Sequence, residues 1–399
     1  MMPTLRPLVV LLAVLVVTMV ACSDSDDQVQ QANSGGVSLH TELGGSAEGY
    51  KRACAPRDFK FPEDHGPHPE FRNEWWYVTG NLQTLKAGSQ QKRFGFHATF
   101  FRIATKPADS QKTEDVTSDW ASNEFYMAHF ALTEEGADRV SAHERFGRAA
   151  AGLAGAVVDT AVDENGTSKN NKVKVWLDDW QLLANEQDGK LVWQLQIEEE
   201  NNLLDLTLVA EKPKVLQGKD GYSQKSADPC NSSYYYSFTR LQATGTVAID
   251  NQSSDVNGTA WLDREWSSSA LADDQVGWDW FALQLDDGRE IMFYQLRKND
   301  GTSDPFSHAV EINKDGTKAE IPLQMLELDI DRWWRSKAGA RYPISGTITR
   351  KDTDETIVYR PLIDDQELNL TVRYWEGAIK LTDATGQSIG RGYLELTGY

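Results

Sequence analysis

At 399 residues the chain is long enough for two or three domains, and 40% hydrophobic with 25% charged residues supplies ample core material. Its 60 Asp and Glu against 40 Lys and Arg give a formal net charge of −20. That charge repels phosphate backbones, so nucleic acid is set aside as a partner.

The first element is a targeting segment. Arg6 forms a short basic n-region, and Leu8 to Val20 is an apolar run of signal-peptide length, too short for a comfortable membrane span. It ends in Met19-Val-Ala-Cys22, followed by "SDSDDQ". A small residue before Cys and a polar acidic tail after it predict a lipoprotein signal peptide over 1–21, with Cys22 as the lipidated N-terminus. Ordinary secretion with cleavage near Ala21 is the alternative. Ser23 lacks the Asp associated with inner-membrane retention, which favours an envelope lipoprotein facing the periplasm from the outer membrane. Residues 22–55 are poor in apolar side chains at their start and read as a disordered tether. Cys54 and Cys230 are then the remaining cysteines. In an oxidising compartment they can bridge or stay unpaired. No CxxC or metal-spaced Cys/His set is present, and no cofactor is expected.

From Phe59 onward the pattern is mostly strand. "VKVWL" (Val173 to Leu177), "LVWQLQI" (Leu191 to Ile197) and "LLDLTLVAE" (Leu203 to Glu211) alternate with period two. Asp-Gly and Asn-Gly pairs recur, among them Asp287-Gly288, Asp300-Gly301, Asp315-Gly316 and Asn257-Gly258, and suit hairpin turns. This predicts an all-β chain of antiparallel barrels or sandwiches. The Ala-rich stretch Ala142 to Ala156 is the main helical candidate, or a loop with one helical turn. A polar stretch from Ile249 to Asn257 marks the expected boundary between two halves, 56–255 and 256–399.

Several short segments carry candidate chemistry. "HGPHPEFRNEWWYVTGNL" (His65 to Leu82) sets Glu74 beside Trp75, Trp76 and Tyr77. His65 and His68 are metal-ligand types, but no third ligand has readable spacing, so no metal is expected. His97 in "FGFHATFFR" and His129 in "MAHFAL" sit in apolar strands, where a lone histidine is usually a core residue. "SYYYSFTRL" (Ser233 to Leu241) offers phenols and Arg240.

"TAWLDREWSS" (Thr259 to Ser268) is the densest segment. Read as a strand, it places Trp261, Asp263 and Glu265 on one face, and Leu262, Arg264 and Trp266 on the other. Asp263 and Glu265 are then about 7 Å apart at Cα, a spacing suited to an acid/base pair or to one carboxylate raising the pKa of the other. In "GWDWFALQL" (Gly277 to Leu285), Trp278, Trp280, Ala282 and Gln284 share a face, with Asp279 opposite. Six of the 13 tryptophans fall in these segments and in that of Glu74, which suits an apolar-ligand cavity with polar handles. Arg264 is the cation to hold a carboxylate ionised, or to join a purely structural ion network. No GxSxG elbow, P-loop or GxGxxG is present.

"HPEFRNEWWYVTGNL", "FGFHATFFR", "AHFAL", "SFTRL", "GTAWLDREWSS", "GWDWFALQLDDGREIMFYQLR" and the closing "YWEGAIKL…GYLELTGY" together resemble the AttH-type secreted proteins. That group sits in the lipocalin-like superfamily that includes carotenoid 1,2-hydratase. The resemblance runs from about His65 to Tyr399. It implies two consecutive lipocalin-like antiparallel β-barrel domains, at 56–255 and 256–399, and a predicted-hydrolase or hydratase activity with Asp263 of "WLDREW" as the acid. The chain carries the "DREW" form of the AttH branch.

The resulting expectation is a lipid-anchored envelope enzyme acting on an apolar or lipid-like small molecule by acid/base hydration or hydrolysis. Asp263 is the general acid, Glu265 its partner or base, Asp279 a secondary acid, and His97 and His129 proton relays. Glu74, Trp75, Trp261, Trp278, Trp280 and Tyr294 are the expected binding residues. The rivals are a non-catalytic carrier built on the same cavity, and a structural lipoprotein with no cavity at all.

Overall fold

Alternation of apolar and polar residues makes strands, and in the computed structural model these strands pair into two antiparallel sheets. Residues 45–85, 91–107, 122–159, 172–187, 190–269 and 271–399 are described. The expected signal peptide, Cys22 and the expected tether through residue 44 lie outside them, as do the Asn165-Gly166 and Asp188-Gly189 pairs, two further hairpin candidates of the sequence.

The first sheet takes the chain in order through β1 (Asn73–Thr84), β2 (Arg93–Ala104), β3 (Glu124–Glu134), β4 (Ser141–Arg148), β5 (Ala154–Asp159), β6 (Lys172–Leu177), β7 (Trp180–Gln187), β8 (Lys190–Glu199), β9 (Asn202–Ala210), β10 (Val215–Leu216), β11 (Tyr222–Gln224), β12 (Ser232–Ile249) and β13 (Gln252–Ser267). Its strand order is β4-β3-β2-β1-β13-β12-β9-β8-β7-β6-β5, with β10 and β11 added beside β12. The two ends of that path approach each other, β4 against β5 and β6, which nearly closes a barrel.

The second sheet holds β14 (Gln275–Leu285), β15 (Glu290–Lys298), β16 (His308–Ile312), β17 (Lys318–Glu320), β18 (Leu326–Arg335), β19 (Arg341–Arg350), β20 (Glu355–Pro361), β21 (Glu367–Asn369), β22 (Arg373–Thr382) and β23 (Ser388–Leu396). Its order is β17-β16-β15-β14-β23-β22-β20-β19-β18, and it curls into a half-barrel.

Two local expectations are corrected. The Ala142 to Ala156 stretch is no helix: it forms all but the first residue of β4, a turn with positive φ at Ala151 and Gly152, and the start of β5. Pairing of β4 with β3 and of β5 with β6 supplies backbone partners that override the helical preference of alanine. The chain also crosses between sheets later than residue 256. β13 pairs with β1 and β12 through Ser267, so "TAWLDREWSS" completes the first sheet and the second begins at Gln275. Asn257-Gly258 accordingly runs inside β13, where a Cβ on Gly258 would meet the Asn81 carbonyl oxygen at 2.0 Å. The Asp287-Gly288, Asp300-Gly301 and Asp315-Gly316 pairs do turn, each with positive φ at glycine.

Three apolar layers follow from the alternation. Trp76, Val78, Leu262 and Trp266 fill the first barrel. Phe281, Leu283, Ile344 and Tyr359 fill the hollow of the second. The third layer joins the outer faces of both sheets, with Tyr235 and Trp261 of the first against Trp280, Met292 and Ala378 of the second. Each fully buried aliphatic side chain contributes roughly 1.5–3 kcal/mol. Polar ties reinforce this layer. Gln284 Nε2 donates to the carbonyls of Thr239 and Ala260 at 2.8 and 3.0 Å, and Asn81 Nδ2 donates to that of Gly392 at 3.0 Å.

Candidate active site

β13 turns its Asp263 and Glu265 away from the first barrel and toward the second sheet. The opposite face sends Leu262 and Trp266 into the barrel core. Between the sheets lies a cavity of about 140 Å³, and both acids line it. The hollow is therefore not the interior of a lipocalin-like barrel but the seam where two sheets meet.

Asp263 is 4% exposed. Its Oδ2 accepts the Tyr235 hydroxyl at 2.7 Å, and its Oδ1 accepts Ser237 Oγ at 2.5 Å and Trp261 Nε1 at 2.6 Å. All three donors come from β12 or β13, and Ser237 is the direct cross-strand partner of Asp263. Burial pushes the carboxyl up to about 7 against the pull of these three hydrogen bonds. The charge on Glu265 adds to the rise, but as the smallest contribution. Desolvation, more than carboxylate–carboxylate repulsion, sets this group. The Tyr235 hydroxyl also takes Trp280 Nε1 at 3.3 Å. A phenol both donates and accepts, so its contact can serve either protonation state of Asp263.

Glu265 has different company. It accepts a hydrogen bond from Ser233 Oγ and pairs with Lys225 Nζ at 3.3 Å. Lys225 lies 4.4 Å above the Tyr294 ring. Burial disfavours its charge, yet Glu265 and Tyr294 hold its pKa above the usual lysine value. Here a cation faces a carboxylate beside Asp263.

The second sheet supplies the facing wall. Trp278 and Trp280 share a face, as their spacing requires, and both line the cavity. Trp278 Nε1 donates to Glu395 Oε2 at 3.1 Å. Glu395 and Glu376 are direct cross-strand partners on β23 and β22. Two like charges in that relation repel. Burial raises Glu395 to about 7 and Glu376 well above the usual carboxylate range. Glu376 accepts the Tyr77 hydroxyl at 2.5 Å and stands 3.3 Å from His97 Nε2. His97 also contacts Thr99 Oγ1 at 2.5 Å, and burial keeps its imidazole neutral.

The expected residues divide by strand face. Asp263, Glu265, His97, Trp75, Trp278, Trp280 and Tyr294 all border the cavity. Trp261 touches it through Asp263. His129 stands behind the wall, its Nδ1 2.7 Å from the hydroxyl of the lining residue Tyr374, with its pKa lowered by burial to about 3. Asp279 does not join the site. It points into the half-barrel, where it accepts from Arg297 Nε at 2.9 Å and from the Tyr399 hydroxyl at 2.7 Å.

Glu74 is likewise absent from the site. It faces the first barrel, held by Arg102 at 3.1 Å, Arg264 at 3.0 Å and the His68 backbone at 2.9 Å. Burial opposes its charge, but these partners, Arg102 foremost, bring its pKa down to about 2. Arg264 thus serves Glu74 and not Asp263. Adjacent residues on a strand point to opposite faces, so Glu74 and Trp75 cannot both line one cavity. His65 and His68 are engaged within the barrel: His65 Nδ1 lies 2.6 Å from the Tyr236 hydroxyl, and His68 stacks on Trp266 at 3.8 Å. Cys54 and Cys230 form a disulfide.

Sequence reasoning missed Lys225, Glu376 and Glu395, and among the phenols of "SYYYSFTRL" it did not single out Tyr235. "YWEGAIKL" and "GYLELTGY" do alternate, so each glutamate could have been placed on a strand face. Nothing local says which faces meet.

The profile of the AttH-like family matches residues 52–399. Among solved structures, an AttH protein of Nitrosomonas europaea is 34% identical, with a TM-score of 0.71, covering 88% of this chain and 99% of its own. Kievitone hydratase of Nectria haematococca is 14% identical, with a TM-score of 0.58, covering 88% and 95%. CghA, solved with Sch210972, is 11% identical, with a TM-score of 0.50, covering 89% and 98%. The last two share the fold with this chain. Among curated proteins, none matches it.

Proposed function

The chain belongs to the AttH-like family, and on that premise we propose that its inter-sheet cavity is the active site of an enzyme that transforms an apolar or lipid-like substrate by acid/base hydration or hydrolysis. The observation that carries this is Asp263: an enclosed carboxyl, held at about 7, in a cavity walled by indoles. A general acid works best when its pKa lies near the working pH. The name of kievitone hydratase, a relative in fold, supports addition of water as the reaction class.

For an alkene substrate the steps balance as follows. Asp263 gives its proton to one alkene carbon, and the π pair forms the new C–H bond. The carbocation left on the other carbon lies among Trp75, Trp278 and Trp280, whose ring faces attract positive charge. The new Asp263 carboxylate is stabilised by the donors already aimed at it, Tyr235, Ser237 and Trp261. Water adds to the cation, and its surplus proton returns to Asp263. Glu265, on the same strand face, is placed to hold that water.

The test is incubation with an envelope lipid extract in ¹⁸O-water, followed by mass spectrometry. Wild type should incorporate label, with kcat/KM falling as pH rises through about 7 and Asp263 ionises. Asp263→Asn should lower the rate by about 10²–10⁴-fold while retaining copurified ligand. Undiminished labelling by that variant would sink the reading. Retained ligand with no labelling by wild type would leave a carrier. We also propose that the chain is an envelope lipoprotein anchored through Cys22. The Met19-Val-Ala-Cys22 sequence supports this, as does a disulfide suited to an oxidising compartment.

A further inference from the structure

The cavity has a second polar end, which the chemistry above leaves unused. Across the first sheet, Asp263 lies opposite Tyr77, and Tyr77 opposite Thr99. Thr99 is thus two strand spacings, about 10 Å, from Asp263. Over this end β22 lowers Glu376, a lining residue only 1% exposed. One of its oxygens takes the Tyr77 hydroxyl. The other, Oε2, makes no hydrogen bond of good geometry among the described residues; His97 Nε2, 3.3 Å away, contacts Thr99, and the Tyr374 hydroxyl is the further polar neighbour of this carboxyl.

Glu376 has Glu395 as its cross-strand neighbour, and the one Lys or Arg among the described lining residues, Lys225, is paired with Glu265. With no cation to hold it ionised, it stands as a carboxylic acid. A buried acid that borders a cavity and keeps one oxygen outside any hydrogen bond is a donor that a ligand can satisfy.

We propose that the Glu376 end of the cavity is a subsite for a neutral oxygen function, hydroxyl or carbonyl, on an otherwise apolar substrate. The substrate then lies across the row from Thr99 through Tyr77 to Asp263, its oxygen on Glu376 and its reacting carbons at Asp263. A pure hydrocarbon leaves the donor unpaired. A carboxylate meets four acidic side chains, Asp263, Glu265, Glu376 and Glu395, against one lysine. The inference deepens the acid/base reading of the same cavity. It is tested by binding without turnover, so the two can fail separately.

The probes are geraniol, its deoxygenated counterpart 2,6-dimethylocta-2,6-diene, geranic acid and geranylamine, titrated by quenching of tryptophan fluorescence. Geraniol should bind about ten-fold more tightly than the hydrocarbon and than the acid, the worth of one buried hydrogen bond. Glu376→Leu should bring the alcohol-to-hydrocarbon ratio to about one while keeping the hydrocarbon affinity, which also reports an intact cavity. Glu376→Gln, whose amide still donates, should keep most of the preference. Equal affinity for alcohol and hydrocarbon in wild type, unmeasurable binding of both included, overturns the proposal. So does tighter binding of the amine, which would mark a cation site, or an unchanged ratio in Glu376→Leu.

Discussion

Glu74 and Asp263 are both buried acids on adjacent strands, yet one is held at about 2 and the other at about 7. The difference lies in their partners. Glu74 meets two guanidinium groups, while Asp263 meets only neutral donors. The consequences for stability have opposite signs. A folded pKa below the unfolded one gives Glu74 a contribution present above pH 4 and lost as pH falls through about 2. A folded pKa above the unfolded one means that ionised Asp263 weakens the fold, progressively from about pH 4 to 7. In urea unfolding at pH 8, Glu74→Gln should therefore lose about 3 kcal/mol, leaving Arg102 and Arg264 without their shared anion. Asp263→Asn should instead gain about 1 kcal/mol or more. Shifts of the same sign in both variants would refute this division of roles.

At the scale of the strand, period two did most of the work that sequence could do. It separated Trp261, Asp263 and Glu265 from Leu262, Arg264 and Trp266, and Trp278 and Trp280 from Asp279. Each set lies on the face it predicts. The same rule excludes Glu74 once Trp75 is in the cavity. It failed at Ala142 to Ala156, where alanine content outweighed the strand pairing that the fold imposes. Close approach between sheets is also an element-level property. A Cβ on Gly95 of β2 would sit 2.5 Å from the Ala378 Cβ of β22. Gly95→Val should wedge the sheets apart, cost about 1–3 kcal/mol in thermal unfolding, and weaken ligand binding at the seam. An unchanged melting temperature together with unchanged binding would show that the seam tolerates the extra volume.

For the whole molecule, the decisive feature is that two curled sheets meet by their outer faces and leave the cavity between them. The Cys54–Cys230 bridge closes a separation of 176 residues. It joins the segment before β1 to the loop that delivers Lys225 to Glu265. The proposed lipid anchor is tested on the whole chain. Expressed with its leader, wild type should partition into the detergent phase on Triton X-114 separation and Cys22→Ser into the aqueous phase; aqueous partitioning of wild type would remove the lipid anchor. The sequence by itself determined the all-β class, the faces of the strands, and the grouping of Asp263 and Glu265 with the tryptophans. These follow from backbone geometry that repeats every two residues and is written locally. Only the tertiary structure decided which faces meet. It brought Tyr235, Lys225, Glu376 and Glu395 to one hollow, gave Arg264 to Glu74, and turned Asp279 into a separate core. Those outcomes depend on contacts between residues tens to hundreds of positions apart and on the water that such contacts exclude, and no short window of sequence encodes either.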